Sequence, residues 1–195
     1  MSVYPEKIAK KLSERPAAAS SERGVCGRAA SFICGCFAEA CIAVDGEAQV
    51  IENIRFATNG CGFMLASGLV LEEMLAGREL AALKGLSDQH LVAELESELG
   101  EFPVERKQCA LVAIEALRAA FGRLRKARAE EFAGDSPLVC SCFGVSEDDL
   151  LAAIKTTQAS RFGDLGPATR AGRGCGACRM LIEDLIETAK IKGLN

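Results

Sequence analysis

Ten cysteines stand beside a single histidine, His90, in this chain of 195 residues. A mixed Cys/His zinc site or a histidine-based catalyst is hard to build from that set, so thiolates carry whatever chemistry there is. The tightest grouping is Cys140-Ser141-Cys142, with Cys175-Gly176-Ala177-Cys178 following after 32 intervening residues. Each pair can chelate one iron, and two irons bridged by sulfide take four terminal thiolates. Two cysteine pairs also suit one tetrahedral zinc, and a redox-active dithiol is a third reading. The second pair stands at the start of an expected helix, where free N–H groups and the positive dipole end favour thiolate. Gly172, Gly174 and Gly176 let the backbone approach the sulfurs.

A second set is spread over the first two thirds of the chain. It comprises Cys34-Gly35-Cys36, Cys61 within Asn59-Gly60-Cys61-Gly62, and Cys109. Each falls at a loop or an element end, where a ligand points outward without disturbing a core. Cys61 and Cys109 also precede helices. Residues 34 and 36 share strand parity if the chain is extended there, so both side chains can face one site. Cys26 and Cys41 lack such context and are expected to pack as free, buried thiols.

The elements that must hold these residues follow from patterning. Val3–Leu12 suggests a short amphipathic helix, and Pro16–Ser21 a loop of small residues. Alternation over Phe32–Val44, the Asp45-Gly46 turn signal and the apolar set Val50, Ile51, Ile54, Phe56 predict an antiparallel hairpin. Helices are expected over Phe63–Leu75, ended near Gly77, and from an N-cap at Ser87 to Leu99. A long helix should run from Cys109 to about Phe132. Residues 133–137, Ala-Gly-Asp-Ser-Pro, read as a linker. Beyond it come an extended piece (Leu138–Cys142), a helix over Glu147–Thr157 capped by Ser146, a glycine-rich loop, and a last helix over Cys178–Lys190. The fold class is α+β: a domain over 1–133 with a small antiparallel sheet packed by helices, then a small, mostly helical domain over 134–195.

Composition narrows the function classes. A net charge of −4, a pI near 5.2 and no long basic run argue against nucleic acid and acidic membrane surfaces as partners. The 49% hydrophobic content supports a real core. The longest apolar run, Gly60–Leu71, stops at Glu72 and Glu73, short of a membrane span. The sequence MSVYPEKIAKK lacks the apolar core of a secretory signal, so a cytoplasmic location is expected, where thiols stay reduced. His90 falls on the polar face of a surface helix. The Arg123–Arg128 run ends a helix, where cations complement the dipole, and Gly60 and Gly62 relax the backbone for Cys61.

Two resemblances sharpen this picture. CSCFGVSEDDL with GRGCGACRMLIEDLI, over roughly Pro137–Ala189, resembles the bacterioferritin-associated-ferredoxin-like domain. That likeness implies one permanent 2Fe–2S cluster on Cys140, Cys142, Cys175 and Cys178. YPEKIAKKL, the CGC before a hairpin, FATNGCGFMLASGLVLEEMLAGR and QCALVAIEALRAAF, over roughly Val3–Arg125, resemble the NifU/IscU iron–sulfur scaffold domain. Its three family cysteines fall on Cys34, Cys61 and Cys109, which would bind iron or a 2Fe–2S cluster. Cys36 stands where that family has Asp, and Gln108 where it has His. The family's Lys falls on Arg106 or Glu105 according to the anchor chosen. The order of the two domains resembles the first two parts of NifU.

What the resemblances imply is a cluster-assembly scaffold and not an enzyme in the usual sense. A cysteine desulfurase would supply sulfur to a thiolate such as Cys109, the C-terminal cluster would supply electrons, and apo iron–sulfur proteins would accept the product. A homodimer is compatible with this role. The alternative is an electron carrier, alone or within a redox enzyme complex. Replacing a hard carboxylate by Cys36 gives Cys34, Cys36, Cys61 and Cys109 four thiolates, as a permanently held cluster has.

Overall fold

The computed structural model describes residues 3–14, 24–45, 49–83, 86–131, 134 and 136–193. The chain folds as α+β in two compact units. One comprises residues 1–45, 50–78 and 85–124, the other 46–49, 79–84 and 125–195.

The first unit is built on an antiparallel sheet of β1 (Val25–Ala30), β2 (Phe37–Val44) and β3 (Ile51–Thr58), in that order. Ala38, Ala40 and Ile42 of β2 are buried, as are Ile51, Ile54 and Phe56 of β3. These alternate with more exposed neighbours, the pattern of a sheet covered on one face. Helices α1 (Glu6–Ser13), α2 (Gly62–Leu75), α3 (Asp88–Leu99) and the first part of α4 (Lys107–Glu131) complete the unit. Eleven of the fourteen residues of α2 are buried, so the longest apolar run of the sequence is the central helix of a core. Glu72, which interrupts that run, is itself buried, and its carboxylate accepts from the Phe56 N–H. α2 ends on Ala76 and Gly77, the latter at φ +74°. Ser87 caps α3, accepting from His90 N–H at 3.2 Å.

Strand β1 departs from the sequence expectation. It shows little alternation, and glycine at 27 weakens strand patterning. The glycine is required because α4 lies against it: a Cβ at Gly27 would sit 2.0 Å from the Ala120 nitrogen. The alternation expected from Phe32 is also shorter than predicted, since residues 32–34 form a turn and β2 begins at Phe37. Gly46 of the expected turn and the whole loop at 16–21 lie outside the described residues, as does part of the linker at 133–137.

The second unit carries a two-stranded ribbon, β4 (Leu138–Cys140) and β5 (Val145–Ser146), and helices α5 (Glu147–Thr157), α6 (Phe162–Thr169) and α7 (Arg179–Ile191). Ser146 and Asp149 form a reciprocal capping box at the start of α5. Leu150, Ile154, Leu165, Ile182 and Ile186 make the core, together with three of the cysteines. Helix α6 was not expected within a glycine-rich loop. Its first turn is held by Asp164, whose carboxylate accepts from the N–H groups of Ser160 and Arg161.

Candidate functional site

The predicted site residues fall into two sets, one in each unit. In the first unit Cys61 is the N-cap residue of α2. Its own capping duty passes to Tyr4, whose hydroxyl accepts from Gly62 N–H at 2.9 Å, which leaves the Cys61 thiol free to face Cys109. The two sulfurs lie 3.6 Å apart. Cys109 is in the first turn of α4 and 2% exposed. Burial first, and its hydrogen bond to Cys61 second, push its thiol up to about 12, while the Arg106 guanidinium pulls the other way. Arg106 reaches toward Cys61 at 4.0 Å. Of the two residues that could stand for the family's lysine, it is therefore Arg106 that faces the thiols.

Cys34 and Cys36 approach each other by a route other than strand parity. Ser31–Cys36 is a tight turn in which Gly35 N–H donates to Ser31 O and Ser31 N–H to Cys36 O. Gly35 takes φ +70°, a conformation that favours glycine. The Ser31 hydroxyl lowers the Cys34 thiol below its usual value, helped by the Cys36 backbone N–H. Cys36 is raised, first by its bond to Cys34. Ser31 also donates to Gln108 Oε1 at 3.2 Å, so Gln108 braces the turn. Cys34 is exposed, as are Phe32 and Ile33 beside it. The structure thus brings together Cys61 with Cys109, and Cys34 with Cys36.

Cys26 and Cys41 correct the expectation of free, packed thiols. They stand directly opposite each other in the β1/β2 register, with Cα atoms 4.0 Å apart, and form a disulfide. The signal lay in the pairing of β1, which the sequence pattern hid.

In the second unit Cys140 ends β4, Cys142 lies in the ribbon turn, Cys175 in the loop after α6, and Cys178 at the N-cap of α7. Cys140, Cys142 and Cys178 are buried. Cys142 and Cys175 have sulfurs 3.4 Å apart. Cys140 accepts from Cys142 and then Cys178, which drives it far down. Cys175, accepting from Cys142, falls to about 6. Cys142 and Cys178 are raised as the donors to Cys140. Backbone N–H groups add to this: Gly172 donates to Cys140 and Cys178, Phe143 to Cys140, Cys175 to Cys142 and Ala177 to Cys175.

A 2Fe–2S cluster fits this donor set. It takes two thiolates per iron, and its anionic sulfurs are matched by N–H donors from the ribbon turn and from the loop before α7. Gly174 keeps the space clear, since a Cβ there would lie 2.9 Å from Cys142 Sγ. Among the described residues no three or more His, Cys, Asp or Glu side chains are arranged to hold a single metal ion.

A small sheet-and-helix unit whose thiols range from exposed Cys34 to buried Cys109, followed by a helical unit with three buried thiols and one half-buried, defines a two-part iron–sulfur protein. Comparison with known proteins agrees. The NifU-like N terminal domain matches residues 4–131 and the BFD-like 2Fe–2S binding domain residues 138–188. The chain belongs to the NifU-like family. The nitrogen fixation protein NifU of Nostoc sp. is 31% identical over 166 residues, 84% of this chain and 54% of that one. NifU of Azotobacter chroococcum is 28% identical over 193 residues, covering 96% and 61%. The mitochondrial iron sulfur cluster assembly protein 1 of Eremothecium gossypii is 32% identical over 95 residues, covering 49% and 58%. The chain thus spans little more than half the length of these relatives.

Proposed function

We propose that this chain is an iron–sulfur cluster assembly scaffold that builds 2Fe–2S units on Cys34, Cys36, Cys61 and Cys109 and passes them on. A permanent 2Fe–2S cluster on Cys140, Cys142, Cys175 and Cys178 accompanies this site. The observation that carries the reading is the open thiol set of the first unit. Cys34 is exposed, while Cys61 and Cys109 meet at 3.6 Å under Arg106. A cluster there would keep one edge toward solvent, as cargo must. The likeness to NifU and to a mitochondrial cluster assembly protein supports the same role.

In this reading the chain binds and transfers and does not turn over a substrate catalytically. A cysteine desulfurase supplies persulfide sulfur. Cys109 was the expected acceptor, but it is covered and held protonated, whereas Cys34 is exposed with a lowered pKa. Cys34 is therefore the thiol open to sulfur in the resting fold, and Cys109 must be uncovered first. The exposed apolar rim of Phe32, Ile33 and Val104 gives the desulfurase or an apo acceptor protein a surface to cover. When bound, the C-terminal cluster supplies single electrons. The residues around it enclose it and donate N–H groups to its ligands. We place the division between the domains at 133/134. Among the described residues no helix is long and apolar enough to cross a membrane; a cytoplasmic location suits the eight free thiols, and the Cys26–Cys41 disulfide is the feature that stands against it.

Cys36 favours a second reading. With it the first unit has four thiolates, so both clusters could remain and the chain would be an electron carrier. The test is to load the whole chain anaerobically, challenge it with chelator and with apo-ferredoxin, and repeat with Cys36→Asp. Cluster that passes to the acceptor, with or without Cys36, supports the scaffold. Cluster that stays in the parent and becomes transferable only in Cys36→Asp makes the chain an electron carrier.

A further inference from the structure

Gln49 breaks two rules at once. It is a polar residue only 4% exposed, and it adopts φ +56°, which disfavours non-glycine residues. Its side chain enters a closed three-way contact within the second unit. Gln49 Nε2 donates to the Cys142 carbonyl at 3.2 Å. Arg128 Nη1 donates to that same carbonyl at 3.1 Å and to Gln49 Oε1 at 3.0 Å. Because a guanidinium can only donate, the amide must turn its oxygen to Arg128 and its NH₂ to Cys142. Leu80 N–H donates to the Gln49 carbonyl at 2.9 Å, which fixes the backbone beneath.

The target of this contact matters more than its strength. The Cys142 carbonyl belongs to the peptide group that joins Cys142 to Phe143. On the far side of that plane, Phe143 N–H donates to the Cys140 sulfur. C=O and N–H of a trans peptide point in opposite directions, so holding the carbonyl aims the N–H. A cation on the carbonyl also polarises the peptide and strengthens its donor end. The side chains of the loop are held elsewhere, the Phe143 ring under the Arg170 guanidinium at 4.4 Å and Cys142 against Gly174, where a Cβ would lie 2.9 Å from its sulfur, while Gly144 follows at φ +63°; the clamp acts on the peptide between them.

We propose that Gln49 and Arg128 are positioning residues of the C-terminal iron–sulfur site: they clamp the 142–143 peptide so that its N–H bonds the Cys140 ligand, and thereby set the reduction potential of the cluster. This rests on the reading that Cys140, Cys142, Cys175 and Cys178 hold that cluster. N–H···S bonds and nearby positive charge stabilise the reduced, more negative form. The clamp therefore raises the potential, and removing it lowers the potential.

The experiment uses the full chain, reduced with dithionite and observed by EPR, with the C-terminal signal identified by its loss in Cys175→Ser. Arg128→Met, Arg128→Lys and Gln49→Gly are then titrated electrochemically. Gln49→Gly removes the amide at a backbone angle glycine accepts freely, so it reports even if Arg128→Met does not fold. We expect a more negative midpoint and altered g-values in Arg128→Met and Gln49→Gly at undiminished iron content, with part of the shift restored in Arg128→Lys. A midpoint and spectrum unchanged in every folded variant would overturn the clamp while leaving the cluster assignment intact. A parent with no signal that Cys175→Ser removes would overturn the assignment itself, and the clamp with it.

Discussion

Adding one methyl group at two glycines should move stability in opposite directions. At Gly27 a Cβ would sit 2.0 Å from Ala120 N, 2.4 Å from Ala119 C and 2.7 Å from Ala116 O. All three atoms are helix backbone and cannot swing aside. Restoring a normal separation of about 3.5 Å requires α4 to retreat by roughly 1.5 Å. The face of α4 that would lift away carries Val112, Ala113, Ala116, Leu117 and Ala120, each no more than 5% exposed. A gap of about 0.5–1 Å already removes a quarter to a half of the dispersion attraction between packed atoms, and this gap is wider. The cost therefore belongs at the upper end of overpacking, about 3 kcal/mol. At Gly122 on the same helix nothing lies within 4 Å. There alanine should gain about 0.5–1 kcal/mol from helix propensity alone.

Urea and thermal unfolding followed by far-UV circular dichroism separate the two. Gly27→Ala should lower the melting temperature by about 6–12 °C and Gly122→Ala raise it by a few degrees. The same Gly27→Ala change should impair iron loading on the first unit, because β1 feeds the Ser31–Cys36 turn and α4 carries Cys109. Loading of the C-terminal four cysteines should be spared. If Gly27→Ala unfolds within about 1 kcal/mol of the parent, α4 does not lie on β1, and the placement of Cys109 relative to Cys34 is wrong.

Thiol titration of the chain unfolded without reductant should count eight free cysteines, rising to ten after reduction; ten from the start would exclude the Cys26–Cys41 bond. That bond spans 15 residues, so reducing it should cost the first unit about 3 kcal/mol in urea unfolding. Ser146→Ala should destabilise the second unit by about 1 kcal/mol through loss of the capping box. Asp149 is held below its ordinary value by Ser146, so its contribution is complete above about pH 4 and fades as acid carries the pH through the folded value. Ser146→Ala should flatten that acid limb, and an unchanged limb would remove Asp149 from the account. Chelator should take iron in two phases, the fast one abolished by Cys34→Ser and the slow one by Cys178→Ser; the reverse assignment would contradict the difference in enclosure.

What the sequence made legible was what local chemistry decides. Ser87 and Ser146 act as caps where an N-cap residue precedes an apolar period, and Gly77 follows the end of α2 because a left-handed residue closes a helix there. The closeness of the four C-terminal cysteines could also be read, since two short C-x-C and C-x-x-C spacings leave only one long gap for the fold to close. What stayed hidden was decided by partners far along the chain. No pattern marks β1 as a strand until α4 is laid on Gly27, and the Cys26–Cys41 bond cannot be seen before β1 is paired. α6 contains Gly163, Gly166 and Pro167, and forms because Asp164 satisfies the N–H groups that such a sequence leaves open. Gln49 gave no signal at all, since its meaning lies in a carbonyl 93 positions away.

The two thiol sets differ in what surrounds the sulfur more than in the number of sulfurs. Four cysteines are present in each, yet those of the second unit lie against a core and receive N–H groups from Gly172, Phe143, Cys175 and Ala177. A cluster bound there would find its negative charge already met by fixed dipoles, and its departure would leave those dipoles facing one another without an anion. The first unit supplies fewer such donors. Cys34 is met by the Ser31 hydroxyl and the Cys36 N–H in a turn open to solvent, and Cys109 lies under its neighbours until something lifts them. Water can replace what a departing cluster takes from the first set, but not from the second. Retention and release can therefore be separated within one chain by the enclosure of the sulfurs, with Cys36 shifting the balance of the first site and not its kind.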